Sequence, residues 1–135
     1  MYKSETKIRV RYADTDQMGY VYYGKYAEYY EVARTELIRG LGFTYREFEE
    51  RGIMLPVSGM KIKYFRAALY DELITMVTRL DEMPTARIRF VCEMFNEEGQ
   101  KLNEGEVSLV FSDATTRRPS RPPKDLIDKL KPYFS

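Results

Sequence analysis

The chain contains no histidine and a single cysteine, Cys92. The first absence removes Ser-His and Cys-His hydrolytic machinery, imidazole proton shuttles and the commonest metal ligand. The second removes any intrachain disulfide and any cysteine-clustered zinc site, and fits a reducing compartment. An excess of one charge is also missing: 22 basic residues face 21 acidic ones, a net charge of +1. A protein that grips a phosphate backbone usually shows a clear basic excess, so nucleic acid is not an expected partner. No stretch approaches the ~18 apolar residues of a membrane span. Met1 to Arg11 alternates charge without an apolar run and does not read as a secretory signal. The expectation is a soluble, cytoplasmic protein that needs no metal.

What is present suffices for one folded domain over residues 1–135. Hydrophobic residues make up 44% and charged residues 32%, enough for a core and too apolar for disorder. Lys7 to Tyr12 alternates, with Ile8, Val10 and Tyr12 on one side, and predicts a half-buried strand. Ala13 to Gly19 is an Asp-rich turn. From about Tyr22 to Leu41 the period becomes helical: Tyr26, Tyr30, Ala33, Leu37 and Leu41 share a face, while Lys25, Glu28, Arg34 and Arg39 fall mostly elsewhere. Gly42 is a plausible stop. Thr44 and Glu47 have capping-box spacing and open a short helix ending near Gly52.

The second half reads as β structure. Strands are predicted over Ile53 to Tyr64 (broken by Pro56), Leu73 to Leu80, Arg87 to Phe95 and Leu102 to Ser112, with turn signals between them. A short helix carrying Leu126, Ile127 and Leu130 closes the chain. This order predicts an α+β fold in which an antiparallel sheet wraps the long helix.

The chemistry concentrates between Tyr12 and Arg34. Asp14 and Asp16 stand two apart between a strand end and a helix start. An aspartate there commonly serves only as a cap. The functional alternative holds a carboxylate beside the backbone amides of the helix N-terminus, where it can act as nucleophile or activate water while the amides hold an oxyanion. Other residues have plainer readings. Cys92 is in phase with Ile88, Phe90 and Met94 and reads as a core thiol. The tyrosines between Tyr20 and Tyr30 suit packing against the sheet or a subunit interface, or could line a pocket. Lys61, Lys63, Arg66, Arg87 and Arg89 lie on strand faces or ends, either as a solvated surface or as phosphate ligands.

The run Arg11-Tyr12-Ala13-Asp14-Thr15-Asp16-Gln17-Met18-Gly19-Tyr20-Val21-Tyr22-Tyr23, with Tyr26, Glu31, Ala33 and Arg34, resembles the hotdog-fold acyl-CoA thioesterases. More narrowly it is similar to the 4-hydroxybenzoyl-CoA thioesterase-like group, which includes the Tol–Pal-associated thioesterases. Agreement runs from about residue 7 to residue 123. The resemblance implies Asp16 as the catalytic carboxylate, with Tyr23 and Gly24 at the helix start positioning substrate and supplying oxyanion donors. Some relatives carry His where Tyr23 stands, so any imidazole role there is lost. It also implies an acyl pocket drawing on Gly19 and on Val57, Ser58, Gly59 and Met60, the latter commonly from a neighbouring subunit. Lys61, Lys63, Arg87 and Arg89 are candidates for the coenzyme A phosphates. Glu31-x-x-Arg34 recurs in the group and reads as a salt bridge.

The expected protein is therefore a homodimer or homotetramer hydrolysing an acyl-CoA thioester, with coenzyme A as part of the substrate and no separate cofactor. The alternatives are an acyl-carrier-protein thioesterase, a non-catalytic acyl-binding hotdog protein and, least compatible with a chain lacking histidine, a hotdog dehydratase.

Overall fold

The computed structural model describes residues 1–134. Strand β1 (Tyr2–Arg9) runs along an edge of the sheet, paired antiparallel with β4 (Leu73–Leu80) from Tyr2↔Leu80 to Arg9↔Leu73. Its alternating exposed and half-buried residues begin earlier than the apolar pattern predicts, because an edge strand with one solvated face tolerates Lys3, Ser4 and Glu5. It also ends earlier. Val10 enters the core, and the chain then tightens into a 3-10 turn, Tyr12–Asp14. Tyr12, predicted inward, is 78% exposed as a result.

Helix α1 (Tyr23–Gly40) lies across the sheet and buries Tyr26, Tyr29, Tyr30, Ala33, Leu37 and Ile38. Removing Leu37 and Ile38 from water contributes about 1.5–3 kcal/mol each. Arg34 belongs to this buried face and not to the polar one, a correction taken up below. The helix stops where Gly42 adopts φ +95°, a left-handed conformation that glycine enters without strain. Helix α2 (Tyr45–Glu50) follows, its N-terminus capped by Thr44, whose Oγ1 accepts from the Glu47 amide at 3.1 Å. Pro56 splits the next predicted strand into β2 (Ile53–Met54) and β3 (Val57–Tyr64).

Strands β5 (Arg87–Phe95) and β6 (Lys101–Val110) complete a five-stranded sheet in the order β1-β4-β5-β6-β3, antiparallel throughout. A short β7 (Ser112–Asp113) pairs with β2, and α3 (Lys124–Leu130) packs Leu126 and Leu130 into the core. The inner face is built by strict alternation: Ile74, Met76 and Leu80 on β4, and Ile88, Phe90, Cys92 and Met94 on β5. Burial pushes the Cys92 thiol up to about 11, which suits an inert core residue. Tyr30 crosses this core and donates to Asn103 Oδ1 at 2.6 Å, so its buried hydroxyl is satisfied.

The β3 edge differs from the rest of the sheet. Met60 and Tyr64 point to the helix side, yet they remain 37% and 49% exposed. An apolar edge strand with unpaired backbone groups is a template for a further strand.

Candidate active site

The loop after β1 places its two aspartates in opposite environments. Asp14 turns inward and is 2% exposed. Its carboxylate accepts from the Tyr29 hydroxyl at 2.7 Å, the Arg11 amide at 3.1 Å and the Arg11 guanidinium at 3.0 Å. Burial alone would raise its pKa. The bonds from Tyr29 and Arg11 outweigh burial and hold the carboxyl below the ordinary carboxylate range. The same contact helps to push the Tyr29 phenol upward, after burial itself. Asp14 thus ties the loop to the middle of α1, a firmer role than the simple turn cap its sequence position suggests.

This arrangement has a pH signature. Because the native carboxyl is held low, its stabilisation is complete above the unfolded value of about 3.9 and is lost as pH falls toward the native value. Asp14→Asn is expected to cost about 2 kcal/mol at neutral pH, the scale of a buried hydrogen bond to a charged group. The difference in stability between wild type and variant should close below about pH 4. Denaturation at a series of pH values checks this; a gap that is unchanged at acid pH contradicts it.

Asp16 turns outward. Its Oδ1 accepts from the Met18 amide at 2.9 Å, and the loop is closed by the Asp16 amide donating to the Tyr20 carbonyl at 2.8 Å. Gly19 makes this closure possible by adopting φ +80°, a conformation that residues with a side chain rarely take. Among the described residues Oδ2 makes no hydrogen bond, so one oxygen of this half-buried carboxylate is left without a partner. Asp16 borders two adjoining clefts. One, of about 330 Å³, is also lined by Tyr20, Val21, Tyr23, Tyr26, Tyr64, Phe65 and Arg66. The other, of about 470 Å³, is lined by Tyr12, Thr15, Gln17, Gly19 and Tyr70.

The N-terminus of α1 opens beside the carboxylate. Tyr22 is its cap residue, but no side chain caps the helix and no acidic residue sits in its first turn. The amides of Tyr23 and Gly24 are the first of the unpaired helical donors, and the helix dipole places partial positive charge there. Gly24 leaves room for the Tyr22 ring, since a Cβ at this position would lie 2.8 Å from its Cε1. The segment after β3 forms the opposite wall. The Phe65 and Arg66 amides both donate to the Leu102 carbonyl, at 2.8 and 3.0 Å, which bends the chain at the strand end. The Ala68 amide then donates to the Tyr26 hydroxyl at 3.0 Å, and the Val21 amide donates to the Ala68 carbonyl at 2.9 Å. These bonds pin the wall to the helix start.

Asp16 and Tyr23 therefore border one cleft, with Gly24 next to Tyr23 in the first turn of α1 and Gly19 in the adjoining cleft. Val57, Ser58, Gly59 and Met60 border neither. They occupy the far part of β3, so even Met60 lies about 13 Å along the strand from Tyr64. None of the predicted phosphate ligands lines the cleft, although Lys63 Nζ lies 5.4 Å from the ring centroid of the cleft residue Phe65. Lys61 and Lys63 sit on the outer sheet face, in register with Glu106 and Glu104, in a hollow that also holds Arg79 and Glu93. Arg89 is held by Glu106 at 2.8 Å, and Arg87 stands exposed at the start of β5. Arg89 pairs with Glu106, and Lys101 with Glu93 and Glu104, across this outer face, while Lys61 and Lys63 make no ion pair among the described residues. The cation that does line the Asp16 cleft is Arg66. Tyr64, Phe65 and Ala67 are cleft residues that the sequence reading did not assign to the site, although Phe65-Arg66-Ala67-Ala68 is one of the segments that carry the family resemblance and alternation is lost after Tyr64.

A long helix cradled by an antiparallel sheet, with a carboxylate loop at the helix N-terminus, defines the hotdog class. The chain belongs to the thioesterase-like superfamily, whose profile matches residues 10–130. It is 32% identical over 124 residues to the acyl-CoA thioester hydrolase YbgC of Escherichia coli O6:H1, covering 92% of each chain. It also superposes on a DHNA-CoA thioesterase from Staphylococcus aureus with a TM-score of 0.86 and 35% identity, over 99% of this chain and 85% of the other. A 4-hydroxybenzoyl-CoA thioesterase shares the fold, with a TM-score of 0.85 at 20% identity over 96% of this chain and 99% of that one.

Proposed function

We propose that the chain hydrolyses acyl-coenzyme A thioesters, with Asp16 as the catalytic carboxylate. The observation that carries this reading is the meeting of an accessible carboxylate and an uncapped helix N-terminus in one cleft. The amides of Tyr23 and Gly24 take the carbonyl oxygen as it gains negative charge, where fixed donors in a partly desolvated site are most effective. Asp16 either attacks the carbonyl carbon or removes a proton from the water that does. The carbon–sulfur bond then breaks and coenzyme A leaves as its thiolate and takes up a proton; the water route gives the free acid directly, whereas attack by Asp16 leaves an acyl-aspartyl anhydride that water hydrolyses to the acid and the restored carboxylate. No imidazole is needed. The two clefts beside Asp16 suit a thioester, whose acyl and coenzyme arms leave the reacting carbon in different directions. Arg66, exposed in the cleft wall, offers a guanidinium to a phosphate of the coenzyme arm.

The exposed β3 edge supports a homodimer. Antiparallel pairing of two β3 strands about a two-fold axis near their centre would continue the sheet. It would also lay the Val57–Met60 segment of a second copy beside Tyr64, supplying the acyl-pocket residues that one chain holds at a distance. Activity and dimerisation are then expected to fail together on dilution, in sedimentation run alongside assay; a fully active monomer contradicts this assembly.

The reading is tested with a panel of aromatic, short-chain and long-chain acyl-coenzyme A substrates and acyl-carrier-protein thioesters, following release of free thiol in excess EDTA. A carboxylate and backbone amides require no metal, so turnover should be unaffected by the chelator. Turnover that disappears with EDTA and returns with a divalent ion would show that the chemistry of Asp16 has been misassigned.

A further inference from the structure

Arg34 is charged, yet it lies on the buried face of α1 and is 8% exposed. Its Nε–H and the Tyr45 hydroxyl are both buried and find no hydrogen-bond partner among the described residues. The nearest carboxylate, Glu31 one turn earlier, is 4.0 Å from Arg34 Nη2 and largely exposed. This ion pair is long and its carboxylate solvated, so it compensates the buried guanidinium only in part. Arg34 and Tyr45 line the same cavity, of about 230 Å³, between α1, α2 and β2. Its remaining wall is mixed, with Phe48, Ile53, Leu55 and Leu109 on the apolar part and Glu31, Thr35 and Glu49 on the polar part.

We propose that this cavity binds a small carboxylate with an apolar body, its oxygens accepting from Arg34 Nε–H and the Tyr45 hydroxyl. The hydrocarbon part packs on Phe48, Ile53, Leu55 and Leu109. Burial pushes the Tyr45 phenol up to about 12 against the lowering influence of the adjacent Arg34 guanidinium, so it stays protonated and able to donate. Glu31 and Glu49 also border the cavity, but both are exposed and their charges are solvated, unlike that of Arg34. The volume falls below the ~300–1,000 Å³ of pockets that enclose drug-sized ligands, which limits the occupant to a small acid. The site is distinct from the Asp16 cleft, since Tyr23 and Arg34 lie about 16 Å apart along α1. Acids of this class include those that thioester hydrolysis releases, but the site stands whether or not the chain hydrolyses thioesters.

Sodium benzoate and sodium hexanoate, titrated into ¹⁵N-labelled protein, test the site directly. Saturable shifts are expected at Arg34 Nε–H and at the amides of Phe48 and Leu109. The neutral amides benzamide and hexanamide should bind at least tenfold more weakly. Arg34→Gln should weaken benzoate binding at least tenfold, and Tyr45→Phe, which removes only the hydroxyl, about threefold. Should Arg34→Gln not fold, Tyr45→Phe and the acid-against-amide comparison decide. The proposal is overturned if Arg34 Nε–H does not shift, if the amides bind as tightly as the acids, or if the shifts are confined to Asp16–Tyr20. Thioester hydrolysis by the same samples is read separately, so failure of the cavity site and failure of the catalytic reading are distinguishable.

Discussion

Asp16→Asn is expected to lower the catalytic rate by about a hundredfold or more, the usual scale for loss of a positioned general base, while the substrate still binds. That factor corresponds to about 2.7 kcal/mol of transition-state stabilisation. The variant should remain folded, for a physical reason. The carboxamide oxygen of asparagine can still accept from the Met18 amide, which carboxylate Oδ1 holds at 2.9 Å. The two aspartates of the loop therefore separate cleanly. Asp14→Asn acts on stability through a buried bond to Tyr29, whereas Asp16→Asn acts on turnover through a group open to the cleft. Near-normal hydrolysis by Asp16→Asn, on a substrate the wild type turns over well, would remove Asp16 from the mechanism.

Gly105→Ala should destabilise the fold by about 3 kcal/mol or more, as overpacking against main chain does. A Cβ at Gly105 would lie 2.2 Å from the Lys61 carbonyl and 3.1 Å from the Tyr30 ring. The Lys61 carbonyl belongs to the neighbouring strand, so no rotamer relieves the contact and β3 must move away from β6. Displacement of β3 carries Tyr64 and the bend at Phe65 and Arg66 with it. Hydrolysis per folded molecule should fall as well, and strand pairing at the β3 edge should weaken. Thermal unfolding and sedimentation measure these effects. A variant with wild-type melting temperature and assembly would mean that Gly105 does not set the spacing of these strands.

Much of this architecture was legible because it rests on local periodicity. Leu73–Leu80 and Arg87–Phe95 alternate strictly, each residue's side set by its neighbours, and both strands fall where the pattern puts them. Helix α1 departs from its predicted ends by a residue because its apolar stripe and Gly42 define it. The misread features depend on groups distant in sequence. Arg34 occupies a polar phase by composition, but α2 and β2 cover it from 11 or more residues further along the chain. The wall of the Asp16 cleft is made by the Leu102 carbonyl, which captures two successive amides at Phe65 and Arg66. Nothing within Tyr64–Ala67 announces that capture. Likewise, the partner that occupies Arg89, Glu106, comes from another strand, 17 residues further along the chain.

The central claim is geometric: one cleft holds the thioester carbonyl between Asp16 and the amides of Tyr23 and Gly24. A crystal structure of Asp16→Asn with an unhydrolysed acyl-coenzyme A tests it most directly. The carbonyl oxygen is expected within about 2.7–3.1 Å of those amide nitrogens, with the residue 16 carboxamide facing the carbonyl carbon or a water beside it. A thioester seated elsewhere, on the outer sheet face or against Arg34, with the helix N-terminus still open to solvent, would contradict it.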